Sequence, residues 1–204
     1  MKVTEIKAVT KTKFKVYLDG QFAFVLYKGE LFRYRLKEGE ELSKEDYQDI
    51  RQNIVLKRAK LRAMHLLADM DRTESQLRSR LRSGEYPEDI IDLAVEYVKS
   101  FGYINDLEYA KRFAESRKRT KSRKEIYMLL AGKGLDSSLI EEALETCCDS
   151  EDAQTAIREI LRRKRFFPET ATEKEKQKIY ASLMRKGFRY EDIRQVIQIS
   201  EWNA

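Results

Sequence analysis

The first part of the chain alternates between apolar and polar positions, as a half-buried strand does. "KFKVYL" at 13–18 has this period of two, and "QFAFVLY" at 21–27 follows, rich in aromatic and β-branched residues. Asp19-Gly20 lies between them and is a strong signal for a two-residue hairpin turn. "VTEIKAV" before the hairpin is a candidate third strand. The pattern predicts a small β-rich extension over residues 1–45.

The pattern changes to helical spacing near residue 44. "KGELFRYRL" at 28–36 is ambiguous, and a short helix is the favoured interpretation. Ser43, with Asp46 three residues on, resembles a helix N-cap followed by an acidic first turn. Beyond this point the chain reads almost entirely as helix, and the helical pattern repeats.

Three copies of one apolar pattern follow each other along the helical part. Each copy has an apolar pair at i and i+4, then a glycine, then an apolar residue ten positions after the pair and an apolar doublet. The copies are Leu77, Leu81, Gly84, Ile91, Ala94 and Val95; Ile126, Leu130, Gly134, Ile140, Ala143 and Leu144; and Ile179, Leu183, Gly187, Ile193, Val196 and Ile197. Each glycine suits a helix-ending position that needs positive φ.

Capping boxes precede two of the three pairs. Thr73 with Gln76 and Ser122 with Glu125 fit the motif, whereas the third copy has Glu175 at the equivalent cap position and is degenerate there. A further helical stretch precedes each copy, so each repeat contains three helices.

The repeat predicts the domain organisation. We expect three-helix repeats at 46–103, 104–149 and 150–204, behind the extension at 1–45. A unit of roughly 50 residues is marginally stable alone, so neighbours should stack and share core. The predicted fold is mainly α, with tandem three-helix repeats in an elongated curved array and a small N-terminal β-hairpin or sheet.

Composition and cysteine usage favour a soluble, reduced protein. The 204 residues are 42% apolar and 37% charged, with net charge +6. No apolar run reaches the length of about 18 residues that a membrane span needs, and the N-terminus "MKVTEIKAV" is too charged for a signal peptide. Cys147 and Cys148 are adjacent, a poor arrangement for a structural disulfide. We expect a cytoplasmic monomer with no membrane contact.

Residue patterns that support catalysis are scarce. His65, the one histidine, lies in an apolar helix and is interpreted as a core or boundary residue. Cys147 and Cys148 lack partners at metal-ligand spacing and are interpreted as buried or half-buried helix positions. The "GKG" at 132–134 is a helix terminus, not a phosphate loop. The sequence predicts no catalytic residue, no metal site and no cofactor.

Clusters of basic residues are the candidate binding features. The candidates are Arg78, Arg80, Arg82, Lys111, Arg117, Lys118, Arg119, Lys121, Arg123, Lys124, Arg162, Arg163, Lys164 and Arg165. Cations interact favourably with the helix dipole in the last turn of a helix. This accounts for the basic residues at 117–119 and 162–165. It does not account for the arginines at 78–82, which are predicted to lie in mid-helix. Clusters recurring in consecutive repeats would line one face, fitting a nucleic-acid backbone or an acidic protein groove.

Two further expectations concern the same region. Residues 117–121 end one helix and precede the Ser122 cap of the next, so they should project from a junction, where reversing their charges should spare the fold. The nearby aromatic residues are expected to be core rather than base-stacking platforms. They are Phe101, Tyr103, Tyr109, Phe113 and Tyr127.

The chain resembles the RecX family of bacterial regulatory proteins over about residues 50–200. "GYIND" at 102–106 stands at the head of the family's most characteristic stretch, although Asn105 replaces an acidic residue usual there. The rest of that stretch follows at Ala110, Phe113, Arg117, Ile126, Leu130, Lys133, Gly134, Leu135 and Ile140. Residues 72–98 and 178–197 are similar to the first and last repeats, and the β-rich start resembles an N-terminal extension found in Gram-positive members.

The resemblance implies a function. Family members bind the RecA recombinase, with the protein lying in the helical groove of the RecA–single-stranded-DNA filament, and restrain RecA's ATP hydrolysis, strand exchange and stimulation of repressor self-cleavage. The alternative is a stand-alone DNA-binding helical module. Residues 105–150 carry nine basic and nine acidic side chains, a balance that is weak for autonomous DNA affinity.

Overall fold

The computed structural model describes residues 1–197 and divides the chain into two compact units. The first unit is Met1–Asn105, and the second begins at Asp106.

A three-stranded antiparallel sheet opens the first unit. Strands β1 (Val3–Ala8), β2 (Lys13–Leu18) and β3 (Gln21–Tyr27) lie in the order β1-β2-β3. Asp19 and Gly20 have φ of 48° and 82°, the positive pair that a type I′ hairpin turn requires. The predicted hairpin and the candidate third strand are both confirmed.

Helices complete the first unit. They are α1 (Lys28–Arg33), α2 (Lys44–Asp49), α3 (Lys57–Asp69), α4 (Glu74–Ser83) and α5 (Glu88–Ser100), with a π-helical segment (Ile50–Leu56) joining α2 to α3. The Oγ of Ser43 accepts a hydrogen bond from the Asp46 amide at 3.0 Å, so the predicted cap is present. Helix α1 confirms the short helix favoured at 28–36.

The sheet and the helices of the first unit share one hydrophobic core. Val16, Phe24 and Leu26 of the sheet belong to the same buried cluster as Leu81 and Ile91 of the first repeat. The strands therefore pack against the helices of the first repeat.

The second unit contains two trios of helices, each with its own core. They are α6 (Asp106–Arg117), α7 (Arg123–Ala131), α8 (Ser137–Cys147), α9 (Ser150–Arg163), α10 (Glu173–Lys186) and α11 (Tyr190–Ile197). One buried cluster lies within α6–α8 and its loops, and another within α9–α11. The expectation that these neighbours share a core is wrong, because each trio uses its apolar pair and doublet to fill its own interior.

The repeated apolar pair occupies the predicted core position in every copy. Leu81, Leu130 and Leu183 are each 0% exposed. Capping boxes begin α4 at Thr73 and α7 at Ser122, as predicted. The third copy is not degenerate: Thr172 is the cap and Glu175 its N3 partner, so α10 begins one turn earlier than the repeat alignment indicates.

The three repeat glycines do not play one common role. Gly134 and Gly187 have φ of 78° and 87°, as expected, but Gly84 has φ of −83°. Glu85 takes the left-handed conformation instead, with φ of 62°. The expectation for Gly84 is wrong because the chain turns one residue later in this copy.

Candidate interaction site

The arginines of α4 are mostly paired with carboxylates. Arg78 contacts Glu74 at 2.8 Å and Asp92 at 2.5 Å, and Arg82 contacts Glu88 at 2.6 Å. Arg80 is exposed, and no carboxylate of residues 1–197 lies within ion-pair distance of it. Arg80 and Arg82 lie in the last turn of α4. The mid-helix prediction is therefore wrong for both, and complementing the helix dipole accounts for them.

Lys118 does not project from the junction between α6 and α7. Its Nζ lies 3.0 Å from Glu115 and 3.1 Å from Asp152, and 17% of its side chain is exposed. The hydrogen bond to Glu115, and then that to Asp152, raise the pKa of Lys118 above its ordinary value. Lys118 joins α6 to the first turn of α9, so reversing its charge would not spare the fold.

Other cations at this junction remain available. Arg119 and Lys124 are exposed and Lys121 is half-buried, and within residues 1–197 no ion pair to them is formed. Arg117 lies over the Phe113 ring, with its guanidinium carbon 5.7 Å from the ring centroid. Arg123 is 4.0 Å from Glu145, at the limit of an ion pair.

The end of α9 has a similar division between paired and unpaired cations. Arg162 and Arg163 both contact Glu159 at 2.7 Å, and these hydrogen bonds lower the pKa of Glu159 to about 2. Lys164 and Arg165 follow and are exposed. On α6, Lys111 makes a longer contact of 3.6 Å to Glu108.

A shallow groove of about 370 Å³ lies between α7 and the end of α10. Its lining combines two apolar side chains with four cations and one carboxylate, namely Met128, Leu129, Lys121, Lys124, Arg185, Lys186 and Glu125. The Ser122 hydroxyl donates a hydrogen bond to the Lys186 carbonyl, and Lys186 Nζ lies 3.0 Å from Glu125 Oε1. The two helices are thus joined at the edge of the groove.

A second concavity, of about 420 Å³, lies where α7, α9 and α11 begin. Five cations and four carboxylates are among its lining residues: Lys118, Lys121, Arg123, Lys124, Arg189, Glu141, Asp149, Asp152 and Asp192. Lys118 already pairs with Asp152. Because the charges nearly balance, this concavity attracts an anion less than the groove between α7 and α10 does.

Sequence reasoning missed the α10 side of that groove. Arg185 and Lys186 lie in the last turn of α10, immediately before Gly187, as Arg82 lies in the last turn of α4 before Gly84, so the repeat alignment could have indicated them. Met128 and Leu129 gave none, because apolar residues in a helix are expected to be core. They are instead 62% and 41% exposed.

Two other expectations for individual side chains need correction. Phe101 and Tyr103 are 56% and 55% exposed and stack on each other, with ring centroids 5.7 Å apart, so the core prediction is wrong for both. His65 is exposed on α3 rather than in the core or at its boundary.

The remaining aromatic predictions are confirmed, and the thiol prediction is confirmed for Cys147, the last residue of α8, whereas Cys148 lies just beyond the helix. Tyr109, Phe113 and Tyr127 are half-buried against the core of α6–α8, and Cys147 and Cys148 are half-buried beside it. Burial, followed by the nearby Asp152 charge, raises the pKa of Cys148 to about 11. Because the thiolate is the reactive form, we expect both thiols to be unreactive in this environment.

Within residues 1–197, no three His, Cys, Asp or Glu side chains come together as a metal site would need. Over the same residues, none of the helices has the length and apolar character to cross a bilayer.

The fold and the surface define a class: a helical repeat protein of three-helix domains with cations on exposed helix ends. Three family models match the chain, namely the first three-helix domain of RecX at 59–97, the second at 105–144 and the third at 150–197. A regulatory protein RecX from Caldanaerobacter subterraneus subsp. tengcongensis is 32% identical, with 96% of this chain and 97% of that protein covered. The chain belongs to the RecX family.

Other relatives and solved structures agree with this assignment. A regulatory protein RecX from Bacillus velezensis is 28% identical over 98% of this chain and 78% of its own length. A crystal structure of a regulatory protein RecX matches with a TM-score of 0.62 and 26% identity, over 97% and 98% of the two chains. The crystal structure of RecX from Lactobacillus salivarius matches with a TM-score of 0.60 and 28% identity, over 70% and 94%.

Proposed function

We propose that this protein is a non-enzymatic regulator of the RecA recombinase. It binds in the groove of the RecA–single-stranded-DNA filament and inhibits ATP hydrolysis, strand exchange and co-protease activity. The observation that carries the proposal is the correspondence, over nearly the whole chain, with proteins named regulatory protein RecX. RecA as the partner is what the family resemblance implies. The protein then acts as a cytoplasmic monomer in recombination, DNA repair and the SOS response.

The unpaired cations supply a physical basis for meeting an anionic filament. Arg119, Lys121 and Lys124 present positive charge that no carboxylate within residues 1–197 neutralises. Arg80, Lys164 and Arg165 are further exposed candidates. Paired cations such as Arg78 would have to break an ion pair first, so we propose the unpaired residues as the principal contacts.

The proposal includes domain boundaries taken from the sequence repeat. We propose an extension at 1–45 and three-helix repeats at 46–103, 104–149 and 150–204. In this arrangement the unpaired cations at the α6–α7 junction belong to the second repeat, and those after α9 to the third.

RecA's DNA-dependent ATPase, titrated with increasing amounts of this protein, tests the function directly. We expect inhibition by the wild-type chain. The Arg119→Glu, Lys121→Glu, Lys124→Glu triple variant should inhibit much less than wild type. The difference in inhibition between the two proteins should shrink at high salt, because salt screens the charge interactions of both with the filament. Lys118 is left unchanged because it forms ion pairs with Glu115 and Asp152.

A matched control separates local contact from net charge. Lys11→Glu, Lys174→Glu and Lys178→Glu together change the net charge by the same amount at exposed positions outside the candidate set. This control should inhibit like wild type. If wild type leaves the ATPase unchanged at saturating concentration, the regulator proposal fails.

Binding to single-stranded DNA with and without RecA tests the alternative, a stand-alone DNA-binding module. The regulator proposal requires the RecA-dependent signal to dominate at physiological salt. Equal binding to bare DNA would favour the alternative, since phosphate contacts alone would then account for the affinity.

A further inference from the structure

The groove between α7 and α10 combines exposed apolar side chains with a cationic rim. We propose that it docks an acidic protein segment carrying apolar side chains, and that this segment lies on the RecA surface of the filament rather than on its DNA. The inference rests on the proposed function and deepens it, because it assigns a chemistry to the partner surface.

The rim of the groove selects an anionic partner. Lys121, Lys124 and Arg185 face the groove without an ion pair in residues 1–197, and the one carboxylate of the lining, Glu125, is already held by Lys186 and by the Ser122 amide. The local field is therefore positive, which favours carboxylates or phosphates.

The floor of the groove distinguishes between these two anions. Met128 and Leu129 are 62% and 41% exposed, and both line the groove. A phosphate backbone would leave such side chains beside water and charge, with no gain from their burial. An apolar side chain of a protein partner would bury them, which is favourable in proportion to the area removed from water.

The character of the two side chains supports the same assignment. Nucleobases are held by flat aromatic rings, on which they stack, and the lining of this groove has none. Methionine is flexible and polarisable, and it adapts to the side chains of a protein partner. An apolar centre with a charged rim is also the usual arrangement of a protein–protein interface.

The groove is held open by contacts at its edge, so it does not depend on binding to form. The Ser122 hydroxyl donates to the Lys186 carbonyl, and the stem of Lys124 packs over Gly187, where a Cβ atom would lie 2.5 Å from the Cβ of Lys124. Preformed sites lose less entropy on binding than sites that must be ordered first.

The test uses the full chain with Met128→Ser and Leu129→Ser together, and measures its affinity for immobilised RecA–single-stranded-DNA filaments and for the bare oligonucleotide. We expect filament binding to weaken by about tenfold or more, as for loss of a central apolar contact, with binding to the bare oligonucleotide unchanged. Phe32→Ser with Leu93→Ser, at positions 86% and 51% exposed in the first unit, is the matched control and should bind like wild type.

A charge variant provides a second, independent measurement. Lys121→Glu with Lys124→Glu should also weaken filament binding, and its defect should shrink at high salt, whereas the Met128–Leu129 defect should persist because it is apolar. Melting curves monitor folding. If the double serine variant is unfolded, Met128→Ser alone replaces it, since that side chain is the more exposed of the two.

Each contrary outcome has its own meaning. Wild-type affinity of the serine variant for filaments overturns the inference while leaving the regulator proposal intact. Equal losses on filaments and on the bare oligonucleotide overturn it in favour of a nucleic-acid contact. A lower molecular mass of the serine variant in sedimentation overturns it in favour of a second copy of this chain. Failure of wild type to bind filaments removes the proposed function, and the inference with it.

Discussion

Lys118 and Asp152 form an ion pair between two three-helix repeats, with Lys118 Nζ 3.1 Å from Asp152 Oδ2. Asp152 also belongs to the capping box of α9, where its amide donates to Asp149 at 2.8 Å. A residue that appears in the sequence as one more cation of a basic run therefore fixes the start of the next repeat. Within the basic run, Lys118 therefore has a structural role, whereas its neighbours Arg117 and Arg119 are exposed.

Charge reversal at Lys118 is expected to destabilise the second unit. Lys118→Glu places a third carboxylate beside Glu115 and Asp152, so we expect the free energy of unfolding to fall, because two attractive contacts become repulsive ones. Arg119→Glu, one position on and exposed, should change it by less than about 0.5 kcal/mol. Urea unfolding of both variants makes the comparison, and equal effects would contradict an internal role for Lys118.

The apolar pairs of the three repeats provide a second prediction. Leu81→Ala, Leu130→Ala and Leu183→Ala should each cost roughly 2–5 kcal/mol, because each leucine is fully buried and its truncation leaves a cavity. Because the chain has two compact units, hydrogen exchange should be followed separately for α3–α5 and α6–α11. A cost below about 1 kcal/mol at two of the three sites would refute their equivalence.

Much of the fold is predictable from local pattern. The hairpin follows from Asp19-Gly20 between alternating segments, and the repeat from apolar pairs at fixed spacing. Caps such as Ser122 follow from residues three positions apart. The turn and cap signals lie within one or two turns of chain, where propensity and hydrogen bonding act locally, and the repeat is recognised because the same local pattern recurs.

Features that depend on distant contacts could not be predicted. Lys118 meets Asp152 and Lys124 meets Gly187 only after the helices pack, and one sequence carries no signal for either pair. The exposure of Phe101 and Met128 is unpredictable for a related reason: burial of a single apolar residue depends on what packs against its face. The groove could therefore not be predicted from the sequence, although Lys121 and Lys124, two of its four cations, are candidate binding residues in the sequence.

The half-buried thiols should react slowly at neutral pH. Burial raises the pKa of Cys148 from about 9 to about 11, so its thiolate fraction below pH 9 falls roughly hundredfold, while the higher basicity of the thiolate recovers roughly tenfold in nucleophilicity. In a Cys147→Ser background, alkylation by iodoacetamide should be about tenfold slower than for a free cysteine at pH 8 and should rise steadily towards pH 11. A rate that levels off near pH 8 would contradict this environment.

Gly187 should be intolerant of a side chain. Its φ of 87° strains any other residue, and a Cβ atom would lie 2.5 Å from the Lys124 Cβ. Gly187→Ala should therefore cost about 1–3 kcal/mol. Gly132→Ala is the control, since Gly132 has φ of −63° and the nearest atom to an added Cβ is 3.4 Å away. Thermal unfolding compares the two, and a neutral Gly187→Ala would show that α7 and α10 do not approach this closely.

Deleting residues 1–45 should unfold the first repeat and leave the second unit intact. The deletion removes Val16, Phe24 and Leu26 from the core that they share with α3–α5. Each buried side chain of this kind contributes about 1.5–3 kcal/mol, and together they approach the 5–15 kcal/mol that stabilises a typical domain. The cores of α6–α8 and α9–α11 contain no residue of the sheet.

Hydrogen exchange read by mass spectrometry distinguishes the two parts in one sample. Amides of α3–α5 should lose protection in the truncated chain, whereas those of α6–α11 should keep the rates of the full chain, which serves as the control. Retained protection in α3–α5 would show that the first repeat folds without the sheet, and that its stability does not require the core residues that the sheet contributes. Because the groove between α7 and α10 lies wholly in the second unit, the truncated chain should still bind RecA filaments through it.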